Sequence, residues 1–398
     1  MTPDESKKEI CRKVIEEMDF SKELSDDELL KLIDTVITDY CRKSELALSE
    51  RIILRRECFN SLRRLDVIQE YLDDDSITEI MINGKDSIFV EKDGRLEKVS
   101  KRFESKEKLE DVIQQIVASC NRSVNEAYPI QDARLKTGER VNIVLDPVAL
   151  NGPIVTIRRF PKEPITMDKL IAIGSITEEA ADFLKRLVVS KYNIFISGGT
   201  GSGKTTFLNA LSQFIPGDER IITIEDSAEL QIRRVENLVR LEARTSNSKD
   251  SEPIEIKDLI KTSLRMRPER IIIGEVRGKE AIDMLAAMNT GHDGSLSTGH
   301  GNSAEDMILR IETMVLSGME IPLPAVRNQI ASAIDIFVHL GRLRDKRRVV
   351  LEISEVLGVK DQKVELNKLY EWKDGNLEKT GELRKRRKLN AWGITDEL

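Results

Sequence analysis

The chain contains 398 residues, too many for one ordinary hydrophobic core, so we expect two or three domains. Hydrophobic residues make up 40% of it and charged residues 33%, a balance typical of well-solvated globular proteins and not of disordered ones. The formal net charge of −7 argues against a general nucleic-acid-binding protein, and no nucleic-acid partner is expected.

Membrane insertion and secretion are not indicated either. No apolar run approaches the roughly 20 residues that a membrane-spanning helix needs, and residues 1–8 lack the apolar core of a signal peptide. We therefore expect a cytoplasmic protein.

The sequence predicts neither a zinc ribbon nor a disulfide framework, because no C-x-x-C pair occurs among its cysteines, which are Cys11, Cys41, Cys58 and Cys120.

Residues 1–69 are predicted to form a helical appendage. Apolar residues such as Leu29, Leu30 and Ile33 recur at helical spacing between Glu9 and about Leu65, and no Pro or Gly interrupts them. We expect this part to pack or dock without performing chemistry.

Residues 70–160 are predicted to form a small α+β domain. The pattern changes here to short β runs separated by turn residues such as Asn83-Gly84 and Asp93-Gly94. The predicted elements are strands at 77–82 and 87–91, a helix at 106–119, and a hairpin from 140–145 to 154–159 through Asn151-Gly152-Pro153. Pro161 and Pro164 then mark an extended linker, which we assign to residues 161–174.

Arginines concentrate in or beside the second predicted hairpin. They are Arg134, Arg140, Arg158 and Arg159. Strand alternation places Arg158 and Arg159 on opposite faces, so at most one of that pair easily faces a given ligand. Ordinary solvated arginines and nucleotide-contacting ones remain alternatives at this point.

From residue 175 to the end, helical and apolar β segments alternate, which predicts a parallel sheet covered on both faces. Residues 198–205 read Gly-Gly-Thr-Gly-Ser-Gly-Lys-Thr and match the phosphate-loop template G-x-x-x-x-G-K-[ST]. A strand-like run precedes the loop and a helix-forming run follows it, as the template requires. Its glycines let backbone N–H groups point at phosphate oxygens, Lys204 adds a positive charge, and the Thr205 hydroxyl can bind Mg²⁺.

Acidic residues follow two further predicted strands. The run 220–224 ends in a cluster that contains Glu225 and Glu229, and the run 271–273 is followed by Gly274 and Glu275. Ligands of open α/β sheets gather at the carboxyl ends of strands, and a carboxylate there can hold Mg²⁺ through water or orient the attacking water. Many phosphate-loop motors have Asp in the corresponding strand. In this sequence, Gly274 precedes the glutamate instead. A solvated turn and a surface ion pair are the alternative interpretations.

Two of the three histidines, His292 and His300, stand eight residues apart in a stretch of small residues. A metal site would need further ligands, so a sensor of the terminal phosphate is the better hypothesis, with a structural histidine as the alternative.

Helical stretches follow Ala304, then a strand at 335–340 and a hairpin at 347–353. The basic run 384–388 is either a solvated helix end or a docking site for anionic lipid or an acidic partner.

Together, residues 198–206, 222–230, 265–278 and 290–300 resemble the Walker A, Asp box, atypical Walker B and His box of the type II/type IV secretion ATPase superfamily. Within that superfamily the chain is most similar to the CpaF/TadA branch, the motors of tight-adherence (Flp-type) pili. The resemblance spans about residues 70 to 360 and implies an α/β fold. In that fold a C-terminal RecA-like P-loop ATPase domain with a parallel-rich sheet, here 175–398 with a C-terminal helical region, follows a small α+β, PAS-like N-terminal domain.

The resemblance also implies roles for individual residues. ATP and Mg²⁺ are the expected cofactors, with Thr205 and Glu275 at the metal, Glu275 as the catalytic Walker B residue, Glu225 or Glu229 polarising water and His300 approaching the γ-phosphate. Arg240 and Arg244 are expected to reach nucleotide, one or both across a subunit boundary. The expected nucleotide-binding residues are Gly198, Gly199, Thr200, Gly201, Ser202, Gly203, Lys204, Thr205, Thr206, Arg140, Arg158 and Arg159.

The implied assembly is a homo-hexamer that works through inner-membrane platform proteins, with peripheral association at the inner face of the cytoplasmic membrane through those partners. We expect an ATPase that powers pilus assembly or secretion. A conjugation-type or retraction motor of the same superfamily and a nucleotide-binding scaffold without hydrolysis remain the alternatives.

Overall fold

The computed structural model describes residues 3–19, 21–22, 24–42, 44, 46–92, 94–120, 122–159, 164–244 and 252–394. Across these residues the chain divides into two compact units, one ending at Lys162 and one beginning at Glu163. Three predicted features extend outside the described residues: the predicted turn at Asp93, the last residue of the predicted 70–160 domain, and residues 161–163 of the predicted linker.

The first unit begins with helices that pack on one another around a shared core, which includes Ile10, Ile33 and Phe59. They are α1 (Pro3–Glu17), α2 (Asp26–Cys41) and α3 (Leu48–Arg63), followed by the short helix α4 (Gln69–Asp73). A capping box starts α2, because the Ser25 hydroxyl accepts from the backbone N–H of Glu28 and the Glu28 carboxylate accepts from the backbone N–H of Ser25. The helical prediction for this region is confirmed.

The rest of the first unit is an antiparallel sheet covered by one helix, α5 (Lys106–Ser119). In the described residues the strand order is β3-β2-β1-β6-β5-β4. The strands are β1 (Ile77–Asn83), β2 (Ile88–Lys92), β3 (Arg95–Lys98), β4 (Ile130–Arg134), β5 (Arg140–Val144) and β6 (Ile154–Arg158). Alternate side chains such as Val141 and Ile157 pack against Leu109 and Ile113 of α5. Both predicted hairpins form, whereas β3 and β4 were not predicted, because their exposed edge positions lack a regular apolar alternation.

The second unit is built on one large sheet with the order β15-β14-β13-β12-β7-β11-β10-β8-β9 in the part of the chain that the structure describes. From β12 to β9 neighbouring strands are parallel, and from β12 to β15 they are antiparallel. The strands are β7 (Ile194–Gly198), β8 (Ile221–Glu225), β9 (Leu238–Glu242), β10 (Arg270–Ile273), β11 (Leu296–Gly299), β12 (Ile336–Arg342), β13 (Arg348–Lys360), β14 (Lys363–Lys373) and β15 (Asn376–Lys379).

Helices cover both faces of this sheet, as the alternating pattern predicted. On β7, Ile194 and Ile196 belong to one core and Phe195 to the core on the opposite face. The helices are α6 (Met167–Ala172), α7 (Glu178–Val189), α8 (Lys204–Ser212), α9 (Ile256–Ser263), α10 (Ala281–Asn289), α11 (Ala304–Gly318), α12 (Leu323–Ala333) and α13 (Arg387–Ala391). The described residues contain no helix with the length and apolar character needed to cross a bilayer.

Two regions differ from the simplest sequence interpretation. The described part of the predicted linker is not all extended: it contains α6, whose Leu170 packs into the core of the second unit. The predicted C-terminal helical stretches are α11 and α12, but the long strands β13 and β14 follow them; only the start of β13 was predicted, and β14 was not. Tertiary pairing extends that hairpin well beyond its apolar segment.

Candidate nucleotide site

The glycine-rich loop connects a buried strand to a helix in the order that the sequence predicted. β7 is buried along its whole length, and α8 begins at Lys204 immediately after the loop. Gly201 and Gly203 have φ angles of 72° and 94°, a conformation that favours glycine. At Gly198 a Cβ would lie 2.6 Å from the carbonyl oxygen of Leu340, so only glycine fits at the end of the strand. The first turn of α8 therefore presents its free N–H groups beside a tightly curled loop, which suits an anion.

Lys204 lies inside this loop. The residue is only 8% exposed, and its Nζ donates to the carbonyl oxygens of Gly198 and Gly199, each at 3.1 Å. Burial lowers the pKa of the ammonium group from its usual value. Thr205 and Thr206 follow in the first helical turn and are half-buried.

Three motifs that are far apart in the chain meet at Lys204. Its Nζ lies 3.3 Å from Nδ1 of His300, which directly follows β11, and Nε2 of His300 lies 2.7 Å from Oε1 of Glu275, which follows β10. Burial, and then the Lys204 charge, lower the pKa of the His300 imidazole. A neutral ring can accept from Lys204 at Nδ1, whereas Oε1 of Glu275 lies beside Nε2 without a hydrogen bond among the described residues.

The sheet topology explains why these residues meet. β7, β11, β10 and β8 are consecutive parallel neighbours, so their carboxyl ends lie along the same edge of the sheet. The segments after β7, β11 and β10 carry the phosphate loop, His300 and Glu275 respectively, and Glu225 is the last residue of β8. The second unit thus brings these predicted site residues to one edge.

Glu225 is the last residue of β8 and is 3% exposed. Its Oε2 accepts from the backbone N–H groups of Glu229 and Leu230, at 2.6 and 2.9 Å, whereas the buried Oε1 has no hydrogen-bond partner among the described residues. Burial raises the pKa of this carboxyl to about 7, against the opposing effect of those amides and of Arg240. Glu229 contributes its backbone to this arrangement and its side chain is half-buried.

The predicted arginines of the second unit lie near the edge strand β9. Arg240 donates to the carbonyl oxygen of Leu230 at 3.1 Å, which places it beside the loop that Glu225 organises. Arg244 donates to the carbonyl oxygen of Glu252 at 3.1 Å, in the irregular bridge that follows β9. Both side chains are on exposed residues.

Three of the four predicted arginines of the first unit form a row on one face of its sheet, and the fourth lies on the other side. Arg134, Arg140 and Arg158 are directly opposite one another on β4, β5 and β6, on the sheet face that does not contact α5, with Glu79 next in the row. Like charges at such positions repel unless an anion or acidic group is near. Arg159 lies on the other side and is 10% exposed at its side chain, where its Nη1 donates to the carbonyl oxygens of Tyr71, Asp74 and Ile77.

His292 is not brought to the same place as His300. Its Nδ1 lies 3.2 Å from the carbonyl oxygen of Ala287 and 3.4 Å from the Thr290 hydroxyl, at the end of α10. The alternative of a structural histidine therefore fits His292, and the geometry of a phosphate sensor fits His300.

One residue to which the sequence interpretation gave no role is Arg277. Its guanidinium contacts Oε2 of Glu275 at 2.6 Å and Oδ2 of Asp226 at 3.6 Å, so it links the loops after β10 and β8. The sequence signal that could have identified Arg277 is its position two residues after Glu275.

The structure also gives contacts for the basic run 384–388. Lys388 of this run contacts Asp293 at 2.6 Å and Asp335 at 2.7 Å.

The chain is similar to known proteins in sequence and in fold. The model of a family described as "Type II/IV secretion system protein" matches residues 62–377. The conjugal transfer protein TrbB of Rhizobium radiobacter is 34% identical over 282 residues, which cover 70% of this chain and 83% of that protein. The type IV secretion system protein VirB11 of Brucella suis biovar 1 (strain 1330) is 33% identical over 304 residues, which cover 69% and 84%.

Among solved structures, the pilus retraction motor PilT with bound ADP matches with a TM-score of 0.52 and 18% identity, over 84% of this chain and 87% of that one. At this level of identity the likeness shows a shared fold.

Proposed function

This chain belongs to the type II/IV secretion system protein family, and we propose that it is the ATP-hydrolysing motor of such a system. The observation that carries the proposal is the contact series Lys204, His300 and Glu275, with distances of 3.3 and 2.7 Å. A phosphate-binding lysine, an imidazole and a carboxylate converge at the mouth of a glycine loop. This is the set of groups that hydrolysis of a nucleoside triphosphate requires.

Phosphoryl transfer to water needs little covalent chemistry from the protein. Catalysis therefore depends mainly on positioning the reactants and neutralising charge. The loop amides and Lys204 would bind the β- and γ-phosphates, and Lys204 would exchange its bonds to Gly198 and Gly199 for bonds to phosphate oxygens. Glu275 would then hold the attacking water, with His300 donating to the developing charge on the γ-phosphate.

The residues present also fit a Mg²⁺ ion. Thr205 and Glu275 would hold it, the latter through water, and the ion would neutralise charge on the phosphate oxygens. Magnesium at such sites takes most of its ligands from phosphates and water. The described residues contain no group of three His, Cys, Asp or Glu side chains arranged to hold a metal, which is consistent with an ion that arrives with the nucleotide.

We further propose that the motor is a homo-hexamer and that arginines complete the site. Arg134, Arg140 and Arg158 would contact phosphate from the sheet face that they share, whereas Arg159 donates to backbone carbonyls and would instead stabilise the first unit. Arg240, Arg244 or both would act across a subunit boundary. An arginine supplied in trans can be worth roughly 10³ to 10⁵ in rate, so isolated subunits should be nearly inactive.

The finer assignment, a motor of the CpaF/TadA type that drives assembly of a tight-adherence pilus, rests on the motif stretches in the sequence. It would act on inner-membrane platform proteins and associate through them with the inner face of the cytoplasmic membrane. The relatives named above are conjugal transfer and type IV secretion proteins, so a conjugation-type motor is the second candidate. Deleting the gene distinguishes the two: lost surface pili support the first, and lost DNA transfer with intact pili supports the second.

Phosphate release by the purified full-length chain tests the activity itself. Wild-type protein should hydrolyse ATP at a specific rate that rises with protein concentration as rings form. Lys204→Ala should abolish hydrolysis, and Glu275→Gln should bind ATP and retain it unhydrolysed. Lys373→Ala serves as the matched control, because Lys373 is exposed and pairs with Glu371 on β14.

Near wild-type turnover in Glu275→Gln would remove Glu275 from its proposed role. If the wild-type protein binds ATP but hydrolyses none in any assembled state, the chain is a nucleotide-binding scaffold and the motor proposal fails.

A further inference from the structure

We propose that Arg277 is a positioning residue for the proposed hydrolysis: it holds the Glu275 carboxylate in one orientation and ties it to Asp226 on the neighbouring loop. This inference rests on the proposed function and adds to it the element that aims the catalytic carboxylate. A glutamate on a loop has three rotatable side-chain bonds, so its orientation has to come from its contacts.

The two carboxylate oxygens of Glu275 face different groups, and only Oε2 has a hydrogen-bond partner among the described residues. Oε2 receives Nη2 of Arg277 at 2.6 Å, and Oε1 lies 2.7 Å from Nε2 of His300. Because Arg277 occupies Oε2, the other oxygen is turned towards His300 and the mouth of the phosphate loop. The guanidinium also approaches Oδ2 of Asp226 through Nη1 at 3.6 Å, so one planar group bridges two acidic loops.

The backbone that carries Arg277 is itself held. The N–H groups of Arg277 and Gly278 both donate to Oε1 of Glu280, at 2.6 and 2.8 Å, just before α10. On the other side the N–H of Val276 donates to the carbonyl oxygen of Thr298 at 2.9 Å. Arg277 therefore extends from a fixed turn, and its guanidinium can serve as a reference point for Glu275.

The same contacts contribute little to folding. The Arg277 side chain is 60% exposed, and ion pairs at such exposure contribute little to stability because solvent screens them. Loss of Arg277 should therefore affect the orientation of Glu275 far more than the stability of the unit.

The test compares Arg277→Gln, Arg277→Lys and the control Arg347→Gln in the full-length protein. Arg347 is an exposed arginine that pairs with Asp345 at 2.7 Å in the turn before β13. Steady-state hydrolysis gives kcat and KM for ATP, a fluorescent ATP analogue gives the nucleotide affinity, and thermal unfolding gives Tm. Arg277→Gln should lower kcat by about tenfold to a hundredfold while KM changes by less than about threefold, because misplacing a catalytic group costs turnover and not binding.

Arg277→Lys should recover part of kcat, since lysine restores the charge at Glu275 but cannot bridge to Asp226. Arg347→Gln should match the wild type in all measurements. The proposal is overturned if Arg277→Gln keeps wild-type kcat, or if kcat, affinity and Tm fall together in both Arg277 variants. A wild-type protein that binds ATP without hydrolysing it would overturn the proposed function, and the role of Arg277 with it; a normal wild type beside a fully active Arg277→Gln would overturn the role alone.

Discussion

The backbone of Gly274 lies against the side chain of Glu225, so closely that a Cβ at position 274 would be 3.0 Å from Cγ of Glu225. Gly274 directly follows β10, and Glu225 ends the neighbouring parallel strand β8. Even the methyl group of an alanine at position 274 would press against the buried Glu225 side chain, so glycine is favoured before Glu275.

Gly274→Ala should therefore destabilise the protein by about 1–3 kcal/mol, the usual cost of overpacking. Glu225 cannot move aside easily, because the amides of Glu229 and Leu230 hold its Oε2. Urea denaturation measures the effect. Gly199→Ala is the matched control, since a Cβ there meets no atom within 4 Å. Equal unfolding midpoints for the two variants would show that Glu225 yields and that the contact is not restrictive.

Glu225 should make the stability of the fold depend on pH. Its pKa is raised from 4.5 to about 7 by burial, so the neutral carboxyl is the form that the folded state prefers. The stability associated with it is complete below about pH 4.5 and is lost as the pH rises through 7, by about 3 kcal/mol in total. Glu225→Gln cannot ionise, and its amide oxygen can still accept both backbone bonds.

The free energy of unfolding of Glu225→Gln should thus fall less between pH 5 and pH 8 than that of the wild type. Glu378→Gln, on the exposed part of β15, should follow the wild-type curve. Parallel pH curves for Glu225→Gln and the wild type would contradict the raised pKa.

Arg270 and Glu219 form a buried ion pair in the second unit. Arg270 is 0% exposed, its Nε and Nη2 contact the two carboxylate oxygens of Glu219 at 2.6 and 2.8 Å, and its Nη1 donates to the carbonyl oxygen of Val188 at 2.7 Å. Glu219→Gln would leave a buried cation without its anion, so we expect a loss of about 3–5 kcal/mol in chemical denaturation.

The exposed pair Arg347–Asp345 provides the comparison for this prediction: Asp345→Asn should cost less than about 1 kcal/mol. Replacing both partners of the buried pair by apolar residues, as in Arg270→Met with Glu219→Leu, should recover most of the loss. If the single and double variants were equally unstable, shape and not charge would govern this position.

Lys388 should anchor the C-terminal segment to the second unit. Its Nζ contacts Asp293 and Asp335, and burial raises the pKa of Asp335 while the Lys388 charge opposes that change. Lys388→Met leaves Asp335 without its cation, so Tm should fall by an amount equivalent to about 1–3 kcal/mol. Arg387→Met, at an exposed neighbouring position, should leave Tm unchanged, and equal losses in both variants would contradict a specific anchor.

Local patterns in the sequence accounted for much of the fold. The capping and spacing of helices such as α2 and α5, the turn residues of the β1–β2 and β5–β6 hairpins, and the strand, loop and helix around Lys204 are properties of short segments. Short-range sterics and hydrogen bonds determine them, so they can be predicted from neighbouring residues. β9, β11 and β14 were not recognised, because their pairing with distant strands, and not their own apolar pattern, makes them strands.

The sequence by itself determined which chemical groups are available: a phosphate loop with Lys204, carboxylates at the ends of buried strands, and an imidazole at His300. Only the tertiary structure decided which of them touch. Lys204 and His300 are 96 residues apart, and their 3.3 Å contact exists because β7 pairs with β11 in parallel and in register. The role of Arg277 likewise appears only when β8 and β10 lie side by side. Strand order depends on how hydrophobic faces and long connections are buried across the whole unit, and no single segment contains that information.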